Sequence, residues 1–155
     1  MTYDILRFLH VIGATVLLGT GAGIAFFMVI SNRSGNPQFI AHVSGIVVLA
    51  DTVFTATAAI VQPITGYLLA REMGWPVLSG WVGMSLALYI FVGAFWLPVV
   101  WMQIRLRDMA RLAAAEGKAL PPAYRRLYRW WFAFGFPAFA AVLVIIWLML
   151  TKPSF

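Results

Sequence analysis

Four long runs of apolar sequence, residues 5–30, 39–70, 81–102 and 130–150, constrain this chain more than any other feature. A helix needs roughly 20 mostly apolar residues to cross a bilayer core, and every run reaches that length. Inside hydrocarbon each backbone N–H and C=O must find a protein partner, which restricts spanning segments to helices and closed barrels. The runs are continuous rather than alternating in polarity, so they read as helices. Hydrophobic residues make up 63% of the chain and charged residues only 10%, too little charge for a soluble surface. The expected fold is all-α: an integral membrane four-helix bundle, one transmembrane domain over residues 1–155. The first run does not read as a cleavable signal peptide, because Asp4 accompanies Arg7, the run is too long and no small-residue cleavage site follows.

Charge orients the bundle. With four spans, residues 31–38 and 103–129 lie on one side, which carries Arg33, Arg105, Arg107, Arg111, Lys118, Arg125, Arg126 and Arg129. The other side has only Arg7, Arg71 and Lys152. The positive-inside bias makes the basic side cytoplasmic and puts both termini on the outer, periplasmic side of a bacterial inner membrane. The net charge of +6 is then a juxtamembrane cluster facing anionic headgroups rather than a nucleic-acid surface. Part of the 103–129 loop reads as helix, continuing span three to about Glu116, where Gly117 stops it; Pro121-Pro122 restarts the chain. Trp81, Trp101, Trp130, Trp131 and Trp147 read mostly as an interfacial aromatic belt.

Two polar residues stand out inside the spans. His10 lies in span one of a chain with only two histidines and no cysteine. An ionisable residue at that depth is a functional candidate, and imidazole is a common ligand for haem iron. Gly13, Ala14, Leu17 and Gly21 share its helical face. Their small side chains suit either close helix packing or a planar macrocycle lying against the backbone. Asp51, near the midplane of span two, shares a stripe with Ser44, Thr55, Ala58, Gln62 and Thr65. Such a stripe must face the bundle or a cavity; it reads as a proton relay or as interhelical glue. Tyr89 in span three, on a face with Ser85, Trp96 and Gln103, can reach toward Asp51 or a ligand, or make an ordinary interhelical hydrogen bond.

The second histidine cannot share an iron with the first in one chain. His42 sits at the cytoplasmic start of span two, about 25 Å from His10 along the membrane normal. It reads as interfacial; as a ligand it would imply a second haem near Met28 or Met102. Met84 and Met149 lie at the level of His10 and are candidate axial partners, as are an open position or a ligand from a second protomer. The lack of cysteine excludes disulfides, thiolate metal sites and CxxCH haem attachment.

The segments LRFLHVIGA, DTVFT with QPITG, WLPVVWMQIR, and WWF with Lys152-Pro153 resemble a bacterial four-helix membrane family of uncharacterised function across nearly the whole chain. More distantly they resemble copper-resistance-D-like membrane proteins and the four-helix bacterial protoporphyrinogen oxidases. The oxidases also open with a histidine early in span one and end on Lys-Pro. That resemblance implies haem b held by His10. The chain departs from the oxidases in having no lysine in residues 81–101 and no histidine or arginine in residues 26–30. The expected function is therefore a haem-b membrane protein in electron transfer, with a link to quinone left open. A porphyrin-oxidising enzyme is one alternative, and a non-catalytic complex subunit or small transporter is the other. The bilayer is the expected partner, with a quinone or porphyrin as small molecule and a homodimer open to the small-residue face.

Overall fold

The computed structural model describes residues 2–154. It is helical along almost its whole length: α1 (Thr2–Arg33), α2 (Pro37–Ala50), a π-helical turn (Asp51–Thr55), α3 (Ala56–Glu72), α4 (Gly80–Ala115) and α5 (Pro122–Thr151). α2, the π-turn and α3 run on as one bent span, so four helices are long and apolar enough to cross a membrane. No strand occurs among the described residues.

The connections are short and chemically specified. Gly35 adopts φ +64°, and the Asn36 side chain then accepts the backbone N–H groups of Gln38 (2.9 Å) and Phe39 (3.3 Å), capping α2. Pro37 follows as the first helical residue, where its missing N–H costs nothing. At the other end of the bundle, α5 stops at Lys152, which takes a left-handed backbone. The Lys152 ammonium sits 4.7 Å from the Trp75 ring centroid, tying that end to the α3–α4 connection.

The expected loop at 103–129 is much smaller than the sequence suggests. α4 reaches Ala115, close to the stop expected at Gly117, but α5 begins at Pro122, two turns before the apolar run. The reason lies in the pattern of the first turns of α5. Tyr124 and Trp131 are buried while Arg125, Arg126 and Arg129 between them are exposed, giving an amphipathic start to the helix. Trp131 is therefore a core residue, stacked 5.5 Å from Tyr128, and not a member of the interfacial belt. Trp101, Trp130 and Trp147 are exposed.

The two ends of the bundle are held by different contacts. Ile24, Met28, Ile40, Val47, Met102, Leu106, Tyr124 and Trp131 form one close-packed cluster toward the basic end. There α1, α2, α4 and α5 meet, and Asn32 donates a 2.7 Å hydrogen bond to the Tyr124 hydroxyl across α1 and α5. Past the π-turn, α3 packs chiefly along α1 while α4 packs along α5. A π-turn inserts a residue into the helical ladder and rotates the face beyond it. At this end apolar contacts of α5 through Ala141, Ile145 and Leu148 are joined by polar ones between α1 and α3 at His10.

Candidate functional site

Thr65 meets His10 across α1 and α3. The Thr65 hydroxyl lies 2.9 Å from the Val61 carbonyl and 3.1 Å from the Gln62 carbonyl, oxygens that can only accept. With its proton on either carbonyl, the Thr65 oxygen is an acceptor for His10 Nδ1, 2.9 Å away, in the tautomer that carries the ring proton on Nδ1. In the neutral imidazole the lone pair is then left on Nε2. The Gln62 amide nitrogen, 3.5 Å from Nε2, is the one group that approaches it, at the outer limit of a hydrogen bond. Metal-binding histidines are held through Nδ1–H and bind through Nε2; here the Gln62 amide stands at Nε2.

Two glycines make room for this corner. A Cβ on Gly66 would come 3.1 Å from His10 Cε1, so the imidazole lies directly over the α3 backbone. A Cβ on Gly13 would run into Gln62 Oε1, so Gly13 lets the Gln62 side chain reach across to α1. The flat face expected on α1 is thus divided. Its Gly13 part is filled by Gln62, whereas Gly21 has nothing within 4 Å of where a side chain would begin. Ala14 and Leu17, between them, are half-buried.

Tyr89 has a specific structural task. Pro63 lacks an N–H, so the carbonyl of Ala59, four residues earlier, loses its helical donor. The Tyr89 hydroxyl, reaching from α4, donates to that carbonyl. Tyr89 therefore turns to the backbone of α3, and the partner of Asp51 is a different residue of the same helix: Trp96 Nε1 donates to Asp51 Oδ1 at 3.3 Å.

Asp51 opens the π-turn and is only 3% exposed. Its second carboxyl oxygen and the Thr55 hydroxyl are both buried and have no hydrogen-bond partner among the described residues. The full stripe expected from the sequence, Ser44, Asp51, Thr55, Ala58, Gln62 and Thr65, is buried. It links Asp51 to the His10 corner along one helix over about 20 Å, the rise of the 14 residues to Thr65. Ala58 is its one apolar step.

The remaining candidates are dispersed. Met84 is 49% exposed on α4, and Met149 is half-buried on α5. The polar contacts of His10 are with α3. His42 is exposed, as an interfacial residue should be, at the opposite end of the bundle from His10. The π-turn had no signal in the residue pattern, because DTVFT fits an α-helical register equally well. Gly66 had a usable one: a glycine within a spanning helix, on the turn that also carries Thr65 and Gln62.

Neither a curated protein nor a solved structure matches this chain. A family profile described as "Predicted integral membrane protein (DUF2269)" matches residues 4–153. With the match covering nearly its whole length, the chain belongs to this family of integral membrane proteins.

Proposed function

We propose that this chain is a haem-b-binding membrane protein of electron transfer, quinone-linked, with His10 as axial ligand and Asp51 as the proton-handling group. The observation that supports the reading is the Thr65–His10 contact at Nδ1, which leaves Nε2 as the ring nitrogen a metal would take once the Gln62 amide turns aside. Haem b would supply one-electron redox chemistry close to the end of the bundle that holds both chain termini.

The chain's own residues would divide the remaining work. Thr65 holds the ring through Nδ1 and keeps Nε2 directed away from the hydroxyl. The strip of Ala14, Leu17 and Gly21 on α1 offers a flat apolar surface beside it. Gln62 presents an amide at the ligand nitrogen, which must turn aside for a ligand to bind there. Asp51 has one oxygen anchored by Trp96 and a second, buried one turn before the Thr55 hydroxyl, where a proton would be taken up or released without breaking the Trp96 anchor. Quinone reduction consumes protons as well as electrons, and a buried carboxylate on the stripe whose far end, Thr65, meets His10 suits that coupling.

Reduced-minus-oxidised absorption spectroscopy of the detergent-purified protein tests the reading. A b-type haem signal in the wild type that disappears in a folded His10→Ala variant supports it. A colourless, folded wild type would remove it and leave a cofactor-free transport path through Asp51.

A further inference from the structure

A groove of about 390 Å³ lies between α2 and α4 toward the basic end, far from His10 and independent of its reading. Ala41, His42, Gly45, Ile46 and Leu49 line it from α2, and Arg111 closes it from α4. Ile46 and Leu49 are exposed, so the groove opens sideways to the surface that hydrocarbon would cover.

The position of Arg111 is unusual for an arginine near a helix end. α4 runs toward the basic end, and helical side chains lean back toward the N-terminus of their helix. Arg111 therefore dips toward the membrane, and its Nη2 would be 3.3 Å from a Cβ on Gly45. Glycine at position 45 is what lets the guanidinium lie against α2. The nearby carboxylates are engaged elsewhere: Asp108 pairs with Arg107 and Glu116 with Lys118, each at 2.8 Å. Among the described residues no ion pair to Arg111 is found, so its exposed guanidinium, beside an apolar groove, is available to an anion.

Depth identifies which anion. Gly45 is about 14 Å from the middle of the Pro37–Glu72 span, half the thickness of a ~30 Å hydrocarbon core. That is the level of the phosphate and glycerol of a phospholipid. His42, one turn further out, stands at the headgroup. We infer that this groove binds an anionic phospholipid, its phosphate held by Arg111 and His42 and an acyl chain lying along Gly45, Ile46 and Leu49. A free phosphate would have no use for the apolar floor, whereas a lipid fills both parts of the groove. The basic residues clustered at this end favour a net negative headgroup.

Native mass spectrometry of the detergent-solubilised protein, with phosphatidylglycerol or phosphatidylcholine added, tests the site. The wild type should retain phosphatidylglycerol about fivefold better, the ratio that ~1 kcal/mol per surface cation corresponds to. Arg111→Gln should abolish that preference, and Gly45→Leu should reduce retention of both lipids by filling the floor. Arg126→Gln, a basic residue outside the groove, should change neither. Four results would each overturn the proposal: equal retention of the two lipids, an undiminished preference in Arg111→Gln, displacement of phosphatidylglycerol by millimolar inorganic phosphate, or a second copy of the chain in place of lipid.

Discussion

Replacing Tyr89 by phenylalanine should destabilise the bundle in a way that depends on Pro63. The Tyr89 hydroxyl donates to the Ala59 carbonyl, which Pro63 deprives of its helical N–H. Without the hydroxyl, a half-buried carbonyl is left with no donor. An orphaned buried carbonyl costs ~1–3 kcal/mol. Interhelical hydrogen bonds in membrane proteins average only ~0.6 kcal/mol, with a maximum near 1.7. The expected cost of Tyr89→Phe is thus about 1–1.5 kcal/mol, between those two scales. Pro63→Ala restores the N–H at position 63, so the helix can satisfy Ala59 by itself. In that background Tyr89→Phe should cost less than about 0.5 kcal/mol, giving a coupling energy near 1 kcal/mol in a double-mutant cycle. Reversible unfolding in mixed micelles, followed by circular dichroism, supplies the four free energies. Equal costs of Tyr89→Phe in the two backgrounds would refute the account of Tyr89 as a substitute donor.

Glycines on the same face of α1 should respond in opposite ways. Gly13→Ala puts a methyl group into the Gln62 amide and should lower stability by about 1–3 kcal/mol, as overpacking does. Gly21→Ala meets nothing within 4 Å and should be neutral or stabilising by up to ~1 kcal/mol, through helix propensity alone. Thermal melts of the two variants check this, and matching shifts would contradict the division of that face. Asp51→Asn retains an oxygen for Trp96 and should fold normally, but it should abolish proton uptake coupled to reduction. A pH-indicator dye in proteoliposomes reads that uptake, and an undiminished signal would remove Asp51 from the proton path.

Spacing made most of this architecture legible before any coordinates. The apolar runs located all four spans, and a single helical register selected the buried stripe from Ser44 to Thr65. The first reading depends on run length, which the bilayer thickness enforces, and the second on helical periodicity. The early start of α5 was hidden because Arg125, Arg126 and Arg129 dominate the composition there. Burial of Tyr124 and Trp131 shows that the segment is sorted by face and not by average hydropathy. The identities of partners were hidden too. The stripe contained Thr65 and Gln62, but which of its residues meets His10 depends on how α1 sits against α3. That placement needs Gly13, which reads in sequence as part of a flat face, and Gly66, which reads with Pro63 as loosening the helix; the contacts they admit are with Gln62 and His10. Of the readings open for Tyr89, the structure shows the ordinary interhelical hydrogen bond, and its acceptor is the Ala59 carbonyl that Pro63 leaves without a helical donor.

Titration of the purified, haem-free protein with haem b, followed in the Soret region, tests the role of His10 most directly. Saturable binding is expected in the wild type, with none at the same site in His10→Ala. Thr65→Val removes the acceptor for Nδ1–H, and loss of such a supporting contact should weaken affinity about 10–100-fold. Binding that is identical in the wild type, His10→Ala and Thr65→Val, or no binding by any of them when all three are folded, would contradict the assignment of His10 as the ligand.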